Sequence, residues 1–506
     1  MSLNITGILR PLFTKRVYLC ERFREYADEI QASELSGLLG IAAETEFGKK
    51  YNFGDISSYE DFKNRVPVHS YEDLKPMILR TIAGEKDILW PGKVRNFAQS
   101  SGTSDGRSKY IPITRDSFSR CHYQGGFDSV AHYLNMNPES RMFSGKSFIL
   151  GGSFANQMKD CPKGTKIGDL SANLIQNINP LANLVRIPSK EIALMEDWTE
   201  KLPALVKASI NSNVTNISGV PSWFLSVIKL ILKEKGISSI HEVWPNLEVF
   251  FHGGISFEPY KAQYESICDM SKMHFVETYN ASEGFFAVQN TPDTKAMLLL
   301  LDLGVFYEFR PMDVPNAEPL PVWEIEQGKT YELIITANNG LWRYAIGDTV
   351  YIESLSPVKI RIAGRTKHFI NAFGEELMVH NTDAAIATTC AATGVHILNY
   401  TAAPVYSTPT SKGRHQWLIE FDEQISEEKV QNFAKMLDEN LRKVNSDYDA
   451  KRTGDLFING LSITKARKHL FDDWLIQRTG RLGGQKKVPR LSNDRTIIES
   501  MLKLNE

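Results

Sequence analysis

Between Ser147 and Glu277 the sequence alternates short apolar segments with helical patterns, and that alternation restricts the fold more than any other feature. Ser147–Leu150, Val214–Ile217, Leu247–Phe251 and His274–Glu277 have strand length and strand-forming residues, while Trp223–Lys235 carries apolar side chains at helical spacing. Strands separated by helices bury their apolar faces in layers, so the pattern predicts an α/β architecture rather than a bundle or a sandwich. At 506 residues the chain exceeds one ordinary core, and roughly two to four domains are expected.

The flanks read differently. Upstream, Leu35–Phe47 has helical spacing, and Ser70–Leu79 opens on a serine followed by acidic residues, the pattern of a capped helix. Lys93–Gln99 turns strand-like and leads into a serine- and glycine-rich run. Beyond that run Tyr110–Ile113 reads as a strand whose Pro112 requires an edge or a bulge. Downstream the chain is β-rich. The apolar run Met297–Phe306 reads as a buried strand, and others are expected over Val305–Arg310, Thr330–Thr336, Thr349–Ile352 and Lys359–Ile362, with Gly340 and Gly347 marking turns. Beyond Gly364 follow a helix over Thr382–Cys390, strands over Ile397–Thr401 and Gln416–Phe421, and amphipathic helices over Ser426–Asn445 and Ala466–Arg478. The predicted division is a large N-terminal domain, 1–363, of α/β sheets with a β-rich, barrel-like part, a connection at 364–367, and a small α+β C-terminal domain, 368–506.

Lys and Arg number 58 against 60 Asp and Glu, a net charge of −2. That balance argues against a chain that coats nucleic acid or an anionic membrane, though not against a local phosphate site. No stretch approaches the ~18 uninterrupted apolar residues of a membrane span. The five cysteines, Cys20, Cys121, Cys161, Cys268 and Cys390, are far apart and form no CxxC pair. This is the usage of a reducing compartment, and with no signal-peptide pattern at the start a cytoplasmic location is expected.

The sharpest local feature is Ser100-Ser101-Gly102-Thr103-Ser104-Asp105-Gly106-Arg107-Ser108-Lys109. Two glycines let the backbone turn its N–H groups toward a ligand, hydroxyls add donors, and Arg107 and Lys109 add charge, which suits a polyphosphate. It lacks the Gly-Lys-Ser/Thr ending of a Walker loop, and a simple polar turn would have the same composition. Tyr279-Asn280-Ala281-Ser282-Glu283 follows a predicted strand; it offers a ring for a base, a hydroxyl for a phosphate and a carboxylate for a hard cation, or it is a strand end with a helix starting near Ser282. His252-Gly253-Gly254 ends another strand, where ligands approach open α/β sheets. Asp348, after Gly347, offers a carboxylate to a ribose or is a turn aspartate. Gly364-Arg365-Thr366-Lys367 and Gln485-Lys486-Lys487-Val488-Pro489-Arg490 complete the series; the second also reads as a solvated basic tail.

In order and spacing these segments resemble the auxin-responsive acyl acid–amido synthetases of the adenylate-forming superfamily. The serine-rich loop is similar to that family's ATP-phosphate motif, and Tyr279–Glu283 to its Tyr-x-x-Ser-Glu. Val305–Pro311 is similar to its Tyr-Phe-Glu-Phe-x-Pro strand, Gly340–Val350 to Gly-Leu-Tyr-Arg-Tyr-x-x-Gly-Asp-x-Val, and Gln485–Arg490 to Gln-Tyr-Lys-x-Pro-Arg. Trp342, Ala345 and Lys486 depart from those patterns. The resemblance implies that Ser101, Thr103 and Ser104 contact phosphates, that Tyr279 flanks adenine near Gly253 and Gly254, and that Ser282 meets the α-phosphate. It further implies that Glu283 holds Mg²⁺, that Asp348 and Arg365 bind the ribose, that Lys367 is a hinge, and that Lys487 is the catalytic lysine on a mobile small domain. Val220 and Phe285 stand near these motifs as candidate walls of an acyl pocket. The implied reaction uses ATP to activate a carboxylic acid as an acyl-adenylate and transfers it to an amine, an amino acid, with no nucleic acid or membrane partner. A thioester-forming coenzyme A ligase and a non-catalytic ATP-binding regulator are the alternatives. A hydrolase is disfavoured, since neither Gly-x-Ser-x-Gly nor His-Glu-x-x-His occurs.

Overall fold

The apolar segments become strands because their side chains can be buried from both sides once helices cover them. The computed structural model describes residues 4–100, 109–154, 158, 161–254, 257–292, 294–312, 314, 317–365, 369–375, 377–408, 411–455, 457–479 and 488–506. The strands are β1 (Asn96–Ser100), β2 (Lys109–Ile113), β3 (Lys146–Ile149), β4 (Lys166–Gly168), β5 (Arg186–Ile187), β6 (Val214–Gly219), β7 (Val249–His252), β8 (His274–Ala281), β9 (Gly284–Gln289) and β10 (Met297–Leu299). They continue as β11 (Val305–Pro311), β12 (Leu320–Pro321), β13 (Thr330–Ala337), β14 (Leu341–Leu355) and β15 (Val358–Arg365). Twelve of them form one sheet in the order β12-β11-β13-β14-β15-β10-β9-β8-β7-β6-β3-β5.

That sheet has two halves. β5, β3, β6, β7 and β8 run parallel, and from β9 outward neighbouring strands are antiparallel. The helix Pro221–Lys235 covers the parallel half with buried Phe224, Val227, Ile228 and Ile231. A separate sheet, β2-β1-β4, has β2 at its edge, which is where Pro112, opposite Phe97, is tolerated. The C-terminal unit pairs β16 (Phe369–Ile370) with β17 (Leu377–Met378) and joins β18 (Ile397–Val405), β19 (Arg414–Phe421) and β20 (Ser462–Lys465) in a second small sheet. The helices Val379–Thr393 and Glu427–Val444 pack together beside it.

One apolar core joins the N-terminal helices to the antiparallel half. A second joins the parallel half to the C-terminal unit, with Phe224, Tyr260 and Tyr264 in the same cluster as Ile370, Phe373 and Trp417. Tyr260 donates its hydroxyl to the carbonyl of Ala372, and Gln263 donates to the Ser407 carbonyl at 2.7 Å, so the C-terminal unit is docked on the parallel strands. No helix among the described residues is long and apolar enough to cross a membrane.

Four local expectations are corrected. The run Met297–Phe306 is two strands, because Asp302 turns out to pair with Arg16 at 2.6 Å and Gly304 takes a left-handed φ of +72°. Gly347 makes no turn; with φ +91° it sits inside β14, where the register against β13 shifts. Ser282 starts no helix but lies in the tight turn between β8 and β9. The helix expected from Ala466 begins at Leu470, since Ala466 still donates to Ile419 of β19 and His469 has φ +62°.

Candidate functional site

The parallel strands β3, β6, β7 and β8 all end on one side of the sheet. At those ends lie Gly151–Gly152, Gly219–Val220, Gly253–Gly254 and Ser282–Glu283, along the edge where open α/β sheets receive ligands. A Cβ on Gly253 would stand 2.5 Å from the Thr278 carbonyl, so only glycine lets the β7 end lie against β8 next to Tyr279. Gly254 has φ +81°, and its Cβ position lies 3.6 Å from Val220. The fold therefore gathers Val220, Gly253, Gly254 and the Tyr279 segment.

Tyr279 and Asp348 are both buried, and the tyrosine hydroxyl donates to Asp348 Oδ2 at 2.6 Å. The Tyr279 ring stands edge-on to Phe286 at 4.9 Å. Asp348 is directly opposite Arg365 in the β14–β15 register, which places the backbones of the two expected ribose residues side by side. Ser282 and Glu283 make the two-residue turn of the β8–β9 hairpin. The turn is pinned from β14's side: Asn339 Nδ2 donates to the Glu283 carbonyl at 2.9 Å, and Asn339 Oδ1 accepts from the Leu341 N–H. Ser100 pairs with Lys109 at the root of the serine-rich loop. Lys109 Nζ lies 3.1 Å from the Tyr344 hydroxyl, four residues before Asp348 on β14.

Three family models together cover most of the chain. The model of the GH3 family N-terminal domain matches residues 17–273, that of the GH3 family central domain matches 298–365, and that of the GH3 family C-terminal domain matches 380–496. The chain belongs to the GH3 family. It is 22% identical to indole-3-acetic acid-amido synthetase GH3.3 of Arabidopsis thaliana over 96% of this chain and 93% of that protein. It is 23% identical to jasmonoyl–L-amino acid synthetase JAR4 of Nicotiana attenuata over 65% of this chain and 67% of that one. Among solved structures it resembles AtGH3.15 acyl acid amido synthetase in complex with 2,4-DB, with a TM-score of 0.62 at 18% identity over 97% and 95% of the two chains. It also resembles 2-hydroxyisobutyryl-CoA ligase, with a TM-score of 0.59 at 15% identity over 96% and 94%. Both structural likenesses establish the shared fold.

In this GH3 family member Ser101, Thr103, Ser104, Lys367 and Lys487, and the side chain of Arg365, lie outside the described residues. The base of the Lys487 segment is anchored. Pro489 and Arg490 present their carbonyls to Thr401 and Ala402 of β18, and Arg490 pairs with Asp383. Phe285 is packed in the first core against Cys121 and Gly125, where a Cβ on Gly125 would come within 2.2 Å of its ring; it is a core side chain. Val220 instead borders the second core.

Two residues escaped the sequence reading. Asn339 sits in the Asn338-Asn339-Gly340 turn, whose composition announces a turn but not a partner. His122 ends a π-helical turn over Ser117–His122, a feature often found near functional sites. Burial pushes its imidazole down to about 4, opposed by Asn280 of the Tyr279–Glu283 segment. Among the described residues no group of three or more His, Cys, Asp or Glu could hold a metal ion. Mg²⁺ shared between one carboxylate, phosphate oxygens and water needs no such cage, and the buried Glu283 at the hairpin tip has the hard oxygen donor it prefers.

Proposed function

We propose that this chain is an ATP-dependent acyl acid–amido synthetase that activates a carboxylic acid as an acyl-adenylate and transfers it to an amino acid. The observation that carries this reading is the convergence of Gly253, Gly254, Tyr279, Ser282, Glu283 and Asp348 at the carboxyl edge of one sheet, in a chain of the GH3 family. The names of the relatives support it, being amido synthetases for indole-3-acetic acid and for jasmonoyl conjugation.

A free carboxylate acylates poorly because its leaving group is an oxide ion, whereas AMP leaves readily. In the first step the acid's carboxylate attacks the α-phosphorus of ATP and pyrophosphate departs. Two anions must approach, so countercharge and aligned donors in a site closed to water supply the main catalytic effect. Ser101, Thr103 and Ser104 would hold phosphate oxygens, Ser282 the α-phosphate, Gly253 and Gly254 the base edge, and Asp348 with Arg365 the ribose. Tyr279 would flank the adenine and steady Asp348. Glu283 would hold Mg²⁺, which supplies charge neutralisation on the phosphates. Lys487 would add positive charge as the 368–506 domain swings about the 364–367 connection near Lys367. In the second step the amine attacks the acyl carbon and AMP leaves. Val220 would line the acyl pocket of the 1–363 domain. None of the five cysteines is in a disulfide, which supports a cytoplasmic location.

ATP–pyrophosphate exchange across a panel of aromatic and aliphatic acids tests the first step, and product analysis with amino acids tests the second. Acid-dependent exchange followed by amide formation is expected. A thioester formed with coenzyme A in place of an amide would make it a coenzyme A ligase, and ATP binding without exchange for any acid would make it a regulator.

A further inference from the structure

Asn338-Asn339-Gly340 joins β13 to β14. None of its side chains has a part in the reaction above, yet the turn is buried and tied on three sides. On the first side, the Asn338 N–H donates to the Gly304 carbonyl at 3.0 Å and its Nδ2 to the Leu303 carbonyl at 3.3 Å. On the second, Thr114 Oγ1 donates to the Asn338 carbonyl at 2.6 Å. Thr114 directly follows β2, the strand into which the serine-rich run leads, and its Oγ1 also accepts from the Ser117 N–H at 3.0 Å. On the third, Asn339 Nδ2 donates to the Glu283 carbonyl at 2.9 Å, while the Leu341 N–H on Oδ1 holds the amide in that orientation. Gly340 permits the turn: it has φ +89°, and its Cβ position lies 2.8 Å from Leu89 Cβ, so a larger residue would be both strained and crowded.

A buried backbone carbonyl that loses its donor costs free energy, so the Asn339 contact is a strong constraint on the chain that receives it. It holds the peptide that follows Glu283, at the tip of the β8–β9 hairpin, and thereby the direction in which the Glu283 side chain leaves the backbone. Groups that act on a reacting phosphate must be held to within roughly 0.5 Å. The same turn is bonded to Thr114 at the end of β2, so one rigid connection sets the spacing between β2 and the Glu283 tip.

We propose that Asn339 is a positioning residue for the first half-reaction: through the Glu283 backbone it holds that carboxylate at the spacing from β2 that a magnesium-bound polyphosphate requires. This rests on the reading above, in which ATP is the substrate and Glu283 holds Mg²⁺. Asn339 acts through Glu283, since its amide is engaged by the Glu283 carbonyl and the Leu341 N–H.

The test uses the full chain and α,β-methylene-ATP, whose bridging carbon prevents release of pyrophosphate. Calorimetric titrations with Mg²⁺ and with EDTA give two affinities, and their ratio is the gain that the metal brings, read without turnover. Asn339→Ala removes the donor. Thr114→Val keeps the shape of the side chain and removes the tie to Asn338, and Glu283→Gln removes the carboxylate charge. Thermal melts followed by circular dichroism check that each variant folds. The gain should fall about tenfold in Asn339→Ala and by a smaller factor in Thr114→Val, with the affinity in EDTA within about twofold of wild type. A merely structural role would lower the melting temperature or both affinities and leave the ratio in place. A wild-type ratio in every folded variant of Asn339 and Thr114 overturns the proposal. In the Glu283→Gln background Asn339→Ala should bring no further loss of gain; full additivity would mean that it does not act through Glu283, and overturns the proposal as well. If Glu283→Gln itself keeps the wild-type ratio, the assignment of Mg²⁺ to Glu283 fails and the positioning role with it. If Glu283→Gln loses the gain while Asn339→Ala keeps it, only the positioning role fails.

Discussion

The hydroxyl of Tyr279 reaches from β8 to Asp348 on β14, and that bond fixes where one carboxylate oxygen sits. A hydrogen bond to a charged group contributes about 1.5–3 kcal/mol. Tyr279→Phe keeps the edge-on packing against Phe286 and removes only the donor, so the KM for ATP in pyrophosphate exchange should rise roughly tenfold with a small loss of thermal stability. A KM within about twofold of wild type would show that Asp348 is held by other groups. Asn339 acts on a neighbouring position by the same logic, holding the backbone of Glu283 rather than its side chain.

At the scale of elements, the site depends on how closely two strand ends approach. Gly253 lies so near Thr278 that a methyl group would meet a backbone carbonyl, an atom that cannot rotate away. Gly253→Ala should therefore push the end of β7 from β8, destabilise the fold by about 1–3 kcal/mol in urea titration, and weaken ATP binding by more than the stability loss alone. Unchanged ATP affinity in the folded variant would exclude the β7 end from the nucleotide site. The same scale explains Trp342. Its indole is fully buried, stacks on Phe47 and Trp90, and donates to the Leu89 carbonyl, so the larger ring is accommodated by a surrounding core built from the N-terminal helices.

At the scale of the molecule, burial of charge-bearing groups sets the response to acid. His122 and His132 are pushed down to about 4 and His252 to about 3, from 6.5, chiefly by desolvation. Between those values and 6.5 the unfolded chain takes up protons that the folded chain excludes. Stability is thus fully present above about 6.5 and falls as the pH drops toward 4, by at most roughly 1.4 kcal/mol per histidine per pH unit. Urea midpoints should drop between about pH 7 and about pH 5, and His252→Gln should flatten that slope; a midpoint independent of pH would contradict neutral burial. The two-part build also predicts how catalysis divides. Lys487→Ala should abolish acyl-adenylate formation while a supplied acyl-adenylate is still amidated. Equal loss of both half-reactions would deny the lysine its separate role.

Local chemistry carried the sequence a long way. Periodicity placed the helix Tyr71–Ile82 behind its Ser70 cap, the strands of the parallel half from Lys146 to Ala281 except the two-residue β5, and two of the three strands of the small C-terminal sheet, because propensity, capping and burial pattern are properties of neighbouring residues. The order of motifs led to the family by the same route. What the sequence left open are relations between distant residues: Tyr279 with Asp348, and Asn339 with Glu283. Where Gly304 and Gly347 interrupt or bend a strand was also undetermined, since a glycine permits a left-handed φ without requiring it. Such pairings arise only when strand order and domain docking bring the groups into contact, and the free energy that selects them comes from burying whole faces rather than from any local pattern.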